Sequence, residues 1–413
     1  MRFNLDIYNI RTELSNNGYK LHKHQINGVK WLLKHEKKYK GGLLCDEMGV
    51  GKTLQIISMM IAHPTKLTLI VCPASLVNQW KSEILKFTTL INVLEKKDLS
   101  TFNTTLNNVY ITSYSSINHY SYKNELYYDR IICDEAHYFR NSKSKTYNNL
   151  NSIKSNYRWC LSGTPIQNYK SDIITLFKFI KQYGKLNDLI DKHMLRRTLL
   201  DVNINLPTIQ YTTHLVKITD TKLEKLIEYS QYMFHLEKIL RLKQACVIPS
   251  STIKSIEYKY KLTTNITPHL IKLNTIINNI TTHNENKVII FSYFRNEIQY
   301  LYTKLKSLFN IAFIDGSVSK EEKNKIVSSK DYNILIIQIN AGGTGLNLQH
   351  YNKIYFTSPQ WNPSLEQQAI ARVYRIGQTK EVSVKRFINE NSIEEHIVNI
   401  QERKKELIQS YLQ

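Results

Sequence analysis

A glycine turn between an apolar run and an apolar helix pattern constrains this chain more than any other feature. The apolar run covers residues 41–45, the turn ends in Lys52 and Thr53, and the helix pattern begins at Leu54. Strand, loop and helix in that order are typical of a phosphate-binding loop. In such a loop, backbone N–H groups and the helix N-terminus face an anion. The lysine reaches the outer phosphates, and the hydroxyl binds Mg²⁺.

This loop supplies the candidate nucleotide-binding residues, which are Gly49, Val50, Gly51, Lys52 and Thr53. The strict pattern, G-x-x-x-x-G-K-[ST], begins with a glycine, and this chain has Asp46 at that position. A glycine turn before an ordinary helix is therefore the competing interpretation of the loop when it is considered alone.

Two adjacent carboxylates, Asp134 and Glu135, follow the apolar strand pattern of residues 130–133. Parallel α/β sheets bind their ligands at the carboxyl ends of the strands, so we expect the pair at that edge. One carboxylate can hold Mg²⁺, and its neighbour can orient and deprotonate an attacking water. Two exposed acids after a strand are common, but a phosphate loop in the same chain favours the catalytic interpretation.

One glutamine, Gln25, lies upstream of the loop within a stretch of helical apolar spacing. Its side-chain amide could read adenine through two hydrogen bonds. A surface glutamine on a helix is the ordinary alternative, so the position alone is a weak indication.

Alternating strand and helix patterns in both halves of the chain predict an α/β fold with two doubly wound parallel sheets. Helical patterns dominate from about residue 172 to residue 286. We therefore expect an N-terminal lobe over 1–200, a short helical bridge over 201–268 and a C-terminal lobe over 269–413.

The second half of the chain carries two arginines, Arg372 and Arg375, in a predicted helix over residues 364–376. Residues three apart share one helix face, and two exposed arginines there are most often a solvated surface. The second lobe has no phosphate loop of its own, so the pair could act across a cleft on the γ-phosphate. Such arginine fingers are worth on the order of 10³ to 10⁵ in rate.

The formal net charge of +22 favours a polyanionic partner, and nucleic acid comes first. AT-rich coding explains part of the lysine content, so the charge is supporting evidence only. No apolar run reaches the ~18 residues of a membrane span, so no membrane partner is expected. The five cysteines include no C-x-x-C pair, which argues against a zinc site or a disulfide framework.

Taken together, the motifs resemble the Swi/Snf-related DNA-dependent ATPases, the chromatin-remodeller branch of helicase superfamily two. The resemblance extends from about Leu21 to Ile397. Its segments include, in the family's order, His24-Gln25 with Gly28, residues 46–53, 73–80, 134–137, 161–168, 194–197, 287–291, 315–317, 341–348, 361–363 and 368–378. The sequence Arg-Ile-Gly-Gln at 375–378 is the most diagnostic segment. Asp46 in the phosphate loop is what this family shows.

The resemblance implies two RecA-like lobes that clamp ATP between them and move along duplex DNA without separating its strands. It implies that Gln25 contacts adenine, that the phosphate loop holds ATP and Mg²⁺, and that residues 162–165 couple ATP state to lobe movement. Asp134 would organise the metal together with Thr53, Glu135 would organise the water, and Arg372 and Arg375 would be the fingers. The DNA phosphates would be held near Ser75, Ser113, Ser292 and Thr344.

Three positions depart from the family's usual residues: Ala371, Thr344 and Gln360. None of them removes a group needed for chemistry. Few residues lie outside the motor and no reader module is visible, so we expect a protein partner to supply targeting. We expect the protein inside the cell, in the nucleus or at another site of DNA metabolism such as a viral factory.

The leading hypothesis is an ATP-dependent double-stranded DNA translocase that moves on DNA–protein complexes or remodels them. A strand-separating helicase on DNA or RNA, or a transcription-associated motor, is the first alternative. A DNA-binding scaffold that does not hydrolyse ATP is the second, and it is disfavoured because a binding module needs no hydrolytic residues.

Overall fold

Two compact units make up the chain: Met1–Ile204 with Ile408–Gln413, and Asn205–Leu407. The structure is a computed structural model. It describes residues 10–119, 127–202, 206–218, 220–261, 263–342 and 346–412. Each unit is built on a parallel sheet with apolar clusters on both faces, which confirms the predicted class of two doubly wound lobes.

The first sheet has seven parallel strands in the order β3-β4-β2-β5-β6-β1-β7. They are β1 (Gly41–Leu44), β2 (Leu67–Cys72), β3 (Ile91–Leu94), β4 (Asn107–Ser113), β5 (Tyr128–Asp134), β6 (Ser155–Leu161) and β7 (Met194–Leu195). The helices of this unit are α1 (Lys23–Tyr39), α2 (Lys52–Ala62), α3 (Val77–Phe87), α4 (Tyr114–His119), α5 (Lys145–Ser152), α6 (Lys170–Phe179) and α7 (Leu186–His193). Every residue of β1, β2 and β4 is buried, as expected for parallel strands covered on both faces.

The pairing register of β1, β5 and β6 places three loops of the first unit at the same edge of the sheet. Leu161 of β6 pairs with Leu44 of β1 on one side and with Asp134 of β5 on the other. The phosphate loop, the loop at Ser162 and the acidic pair therefore all begin at the same edge of the sheet. This is the edge where parallel sheets bind ligands.

The second sheet has six parallel strands in the order β10-β11-β9-β12-β13-β8. They are β8 (Ile209–Val216), β9 (Val288–Ser292), β10 (Ile311–Ile314), β11 (Ile334–Gln338), β12 (Lys353–Phe356) and β13 (Val382–Asn389). The helices that follow β7 in the chain are α8 (Lys222–Tyr229), α9 (His235–Ala245), α10 (Pro249–Tyr260), α11 (Ile271–Thr282), α12 (Arg295–Leu305), α13 (Lys320–Ser328), α14 (Ile339–Gly342), α15 (Pro363–Ile370) and α16 (Ile393–Leu412). In the part of the chain that the structure describes, no helix is long and apolar enough to cross a membrane.

The stretch predicted as a helical bridge contains a strand as well as helices. Strand β8 lies within residues 201–268 and pairs with β13 along its whole length. Most of its side chains are exposed, because it is an edge strand, so it lacks the apolar alternation that reveals a strand. The helices α8 to α10 do follow it and share a small core of their own. The division into 1–200, 201–268 and 269–413 stays a prediction.

Candidate nucleotide site

Two glycines give the phosphate loop a backbone that other residues rarely adopt. Gly49 has a φ of 90° and Gly51 a φ of 93°, both in the left-handed region. A Cβ atom on Gly51 would also lie 2.3 Å from Nε2 of Gln25. The loop and the start of α1 therefore approach each other as closely as glycine permits, which brings the predicted adenine-contacting residue beside the loop.

Both ends of the Gln25 amide are engaged within the protein. Its Oε1 accepts from the backbone N–H of His22 at 2.9 Å, and its Nε2 lies 3.5 Å from the carbonyl of Val50. The ring of His24 reaches the same carbonyl at 3.0 Å. Helix α1 is thus held against the loop by two side chains, and the contact of Gln25 with adenine stays a prediction.

The lysine of the loop, Lys52, is the first residue of α2 and folds back on the loop. Its Nζ donates to the carbonyl of Asp46 at 2.7 Å and to that of Glu47 at 3.3 Å. A Cβ atom on Gly163 would lie 3.6 Å from this Nζ and 2.9 Å from Cγ of Met48. The segment predicted to couple ATP state to movement therefore faces the phosphate loop directly.

The carboxylate of Asp134 lies in the same site and is held by two donors. Trp80 Nε1 donates to its Oδ2 at 2.8 Å, and the backbone N–H of Glu135 donates to its Oδ1 at 2.9 Å. Burial and the neighbouring Glu135 carboxylate raise the pKa of Asp134 to about 6, although Trp80 and the Lys52 ammonium act in the opposite direction. A buried acid beside a second acid favours the binding of a cation.

The second acid, Glu135, has an unusual backbone conformation. Its φ of 50° and ψ of 50° lie in the left-handed region, which costs a residue with a Cβ about 1–2 kcal/mol. Its Oε2 lies 3.3 Å from Nδ1 of His137. Strain of this kind persists where the surrounding structure requires it and is concentrated at functional sites.

The donor set of the site fits Mg²⁺. Asp134 and Thr53 offer a carboxylate and a hydroxyl, the oxygen ligands that this ion prefers. Among the residues described, no group of three or more His, Cys, Asp or Glu side chains could hold a metal ion. At nucleotide sites, Mg²⁺ takes most of its ligands from phosphate oxygens and water.

Three side chains that support the site were in the family segments or near them but had no predicted role. They are Gln55, Trp80 and Arg197. Gln55 is completely buried on α2, whose other buried residues are mostly apolar. A polar residue among the apolar residues of a predicted helix was the one sign of its role in the sequence. Arg197 pairs with Asp46, the residue that breaks the strict loop pattern, and Asp46 is completely buried.

The arginines of the second unit do not lie on a helix. Helix α15 ends at Ile370, and Arg372 and Arg375 follow in turns, so the prediction that they share a helix face is wrong. The turns are tight: the N–H of Arg372 donates to the carbonyl of Ala369 at 3.2 Å. Val373, which lies between the two arginines in the sequence, is completely buried.

A glutamine amide holds the segment that carries the arginines. Gln378 Nε2 donates to the carbonyls of Gln349 at 3.0 Å, Tyr351 at 3.0 Å and Val373 at 3.2 Å. Gln349 in turn donates to the carbonyl of Ile376.

The predicted DNA contacts differ in exposure. Ser75 is exposed in a short 3₁₀ helix after β2. Ser113 and Ser292 end β4 and β9 and are buried, with 6% and 1% of their surface exposed. The Ser113 hydroxyl lies 2.8 Å from the Ser115 hydroxyl. Thr344 lies outside the described residues. Contact with DNA at these positions stays a prediction.

Comparison with known families divides the chain in the same two parts. Residues 24–184 match the SNF2-related domain, and residues 271–377 match the helicase conserved C-terminal domain. The first match contains the phosphate loop and the acidic pair, and the second contains both arginines.

Known relatives match nearly the whole chain. An ATP-dependent helicase of Mycoplasma genitalium is 30% identical over 95% of this chain and 42% of the relative. The RAD54-like DNA repair and recombination protein of Drosophila willistoni is 25% identical over 94% of this chain and 62% of the relative. The ISWI chromatin-remodeling complex ATPase ISW2 of Saccharomyces cerevisiae is 28% identical over 95% and 41%. The chain thus spans only part of the length of these relatives, and it combines an SNF2-related domain with a helicase conserved C-terminal domain.

Proposed function

We propose that the protein is a motor that hydrolyses ATP and uses the energy to move along double-stranded DNA. One observation supports this proposal above all: three loops begin at the same edge of the first sheet. Strand register aligns Leu44, Leu161 and Asp134, and the groups that ATP hydrolysis needs follow at once. A module that only binds DNA has no use for this arrangement.

In the proposed reaction, the phosphate loop binds the triphosphate through backbone N–H groups and Lys52. Thr53 and Asp134 hold Mg²⁺, which neutralises charge on the phosphates. Glu135 orients a water molecule and takes its proton as the water oxygen bonds to the γ-phosphorus. The bond from the γ-phosphorus to the bridging oxygen breaks, and its electrons stay on ADP. Inorganic phosphate is the second product.

Arg372 and Arg375 are proposed to supply positive charge to the γ-phosphate from the second unit. This part of the proposal is supported by the sequence, since no glycine of the second unit is followed by a lysine. That unit therefore has no phosphate loop for a nucleotide of its own. Two arginines are the groups that a helicase C-terminal domain would bring to a nucleotide bound elsewhere.

Double-stranded DNA is the proposed track, and the net charge of +22 suits such a polyanion. The RAD54-like relative is named for DNA repair and recombination, and the yeast relative for chromatin remodeling. We propose that this protein likewise acts in DNA metabolism inside the cell, in the nucleus or in a viral factory. A separate protein is proposed to supply targeting to a particular DNA structure.

The translocase and the helicase hypotheses differ in one measurable product. We expect the protein, with ATP and Mg²⁺, to displace a third strand from a DNA triplex while leaving a matched forked duplex paired. A non-hydrolysable ATP analogue serves as the control and should abolish displacement. Separation of the forked duplex without triplex displacement would favour the strand-separating helicase instead. Failure of both reactions, in a protein that turns ATP over, would contradict translocation.

A further inference from the structure

An ion pair joins the start of the phosphate loop to Arg197, whose partner Asp46 is completely buried. Arg197 Nε donates to Asp46 Oδ1 at 2.9 Å, and Arg197 Nη2 donates to Asp46 Oδ2 at 2.5 Å. Gln55 joins the pair, since it donates to Asp46 Oδ2 at 3.1 Å and accepts from Arg197 Nη2 at 2.8 Å. Arg197 Nη1 also donates to the carbonyl of His24. The carboxylate is thus fully satisfied, although Asp46 and Gln55 are completely buried.

Helix α1 leaves room for this cluster by carrying a glycine. A Cβ atom on Gly28 would lie 1.8 Å from Oε1 of Gln55 and 2.7 Å from Nη2 of Arg197. Both distances are far below van der Waals contact, so even alanine would displace the two side chains. The glycine at this position of α1 is therefore explained by the ion pair.

The backbone around Arg197 also pairs with the start of the phosphate loop. Cys45 N–H donates to the carbonyl of Leu195 at 2.7 Å, and Glu47 N–H donates to the carbonyl of Arg197 at 2.8 Å. The Glu47 carboxylate accepts from the N–H of Leu199 at 2.8 Å. The pairing between β1 and β7 therefore continues into the loop.

These contacts connect Arg197 to Lys52 through two intermediate residues, Asp46 and Glu47. The Asp46 carboxylate binds Arg197, and the Asp46 carbonyl accepts from Lys52. The Glu47 N–H binds the Arg197 carbonyl, and the Glu47 carbonyl also accepts from Lys52. Any movement of Arg197 would therefore shift the two carbonyls that place the lysine.

We propose that Arg197 is a positioning residue of the nucleotide site, which fixes Asp46 and Glu47 so that Lys52 is correctly placed for the outer phosphates. The inference rests on the proposed function of the loop as an ATP site. It also explains why this loop begins with Asp46 rather than glycine, because the carboxylate is needed to bind Arg197. A guanidinium binds a carboxylate through two parallel bonds, which an ammonium cannot do.

The test compares Arg197→Ala and Arg197→Lys with Arg196→Ala. Arg196 is the adjacent arginine and its side chain is exposed, so its removal changes the net charge equally without touching the cluster. The primary readout is the affinity for a fluorescent, non-hydrolysable ATP analogue with Mg²⁺. Because it requires no turnover, it separates failure of this inference from failure of the proposed ATPase activity.

We expect Arg197→Ala to weaken analogue binding about tenfold, with a larger change in KM for ATP than in kcat, whereas Arg196→Ala stays within about twofold of the wild type. Arg197→Lys should recover only part of the affinity. Asp46→Asn should reproduce the defect, and the double variant Asp46→Asn with Arg197→Ala should be no worse than either single variant. Duplex DNA binding should be retained in all of them.

Two results would overturn the inference. One is an Arg197→Lys or Arg197→Ala protein that binds the analogue as tightly as Arg196→Ala does. The other is a double variant whose loss of affinity equals the sum of the two single losses, since independent sites add. If Arg197→Ala fails to fold, the Arg197→Lys protein alone decides the question, because it keeps the charge and removes the paired bonds.

Discussion

The two units hold their candidate site residues by different means. In the first unit, strand register places the phosphate loop, the Ser162 loop and the acidic pair at one edge, through backbone bonds shared along whole strands. In the second unit, Arg372 and Arg375 follow a helix, and the side-chain amides of Gln349 and Gln378 hold the turns around them. The first arrangement combines backbone pairing with the charged cluster around Arg197, whereas the second depends on neutral side-chain amides at its turns. Removal of a supporting amide from the second unit should therefore affect that unit and leave the first unchanged.

The largest effect should come from removing the arginines, which tests whether the second unit contributes to the chemistry at all. Arg372→Ala and Arg375→Ala should each lower DNA-stimulated ATP turnover by on the order of 10³ to 10⁵, because each removes charge from the transition state. Affinity for a non-hydrolysable analogue should change little. Arg403→Ala is the matched control, since Arg403 is an exposed arginine of the same unit. Turnover within tenfold of the wild type in both variants would contradict the finger role.

The next effect tests the first unit. Lys52→Ala and Glu135→Gln should each reduce turnover by on the order of 10² to 10⁴, since they remove the ammonium proposed to bind phosphate and the proposed base. Duplex DNA binding should be retained, which a fluorescence anisotropy titration would check. Lys66→Ala, which removes an exposed lysine of the same unit, should behave as the wild type. Unchanged turnover in Glu135→Gln would show that another group activates the water.

The variant Gln378→Ala tests how far the arginine segment of the second unit depends on one supporting amide. This change leaves buried carbonyls without a donor, at a cost of about 1–3 kcal/mol each, and should lower the midpoint of thermal unfolding. We expect DNA-stimulated turnover to fall about tenfold while analogue affinity, which belongs to the first unit, is unchanged. Gln367→Ala removes an exposed amide from α15 and should have no effect. A Gln378→Ala protein with the activity and stability of the wild type would remove the distinction drawn between the two units.

The last effect depends on pH. Burial and Glu135 raise the pKa of Asp134 to about 6, so the carboxylate that we propose to hold Mg²⁺ becomes protonated as pH falls through 6. Turnover should therefore decline about tenfold per pH unit below that value, and additional Mg²⁺ should move the decline to lower pH. A pH–rate profile at two Mg²⁺ concentrations measures this. A decline that does not respond to Mg²⁺ would contradict the assignment to Asp134.

The same pKa shift affects the stability of the fold in the opposite direction from turnover, since stability falls as pH rises. The pKa of Asp134 rises from 3.8 when unfolded to about 6 when folded, so folding is penalised increasingly as pH rises from 3.8 to 6. The penalty is fully present at neutral pH. Asp134→Asn should therefore raise the midpoint of thermal unfolding at pH 7.5 even though it stops turnover.

The central strands, and the position of the acidic pair at the carboxyl edge of the first sheet, were predictable from sequence. Strands such as β2 and β9 are buried on both faces and read as continuous apolar runs, and the loop after β1 has a distinctive residue pattern. The strands that were missed, β3, β7 and β8, are all edge strands. Edge strands are short or solvent-exposed, so their sequences carry a weaker pattern.

Side-chain contacts over long sequence distances were not predictable. Arg197 and Asp46 are far apart in the chain, and nothing in either local pattern indicates that one binds the other. The end of α15 at Ile370 was also missed, because the predicted helix was extended to residue 376. Helix propensity alone does not decide where a helix ends.

ATP turnover by the full chain, measured with and without duplex DNA, tests the central claim most directly. We predict slow turnover by the protein alone and a marked increase with duplex DNA, with Glu135→Gln inactive under both conditions. A folded protein that binds the nucleotide analogue but shows no turnover with or without duplex DNA would contradict the assignment of this chain as a DNA-stimulated motor.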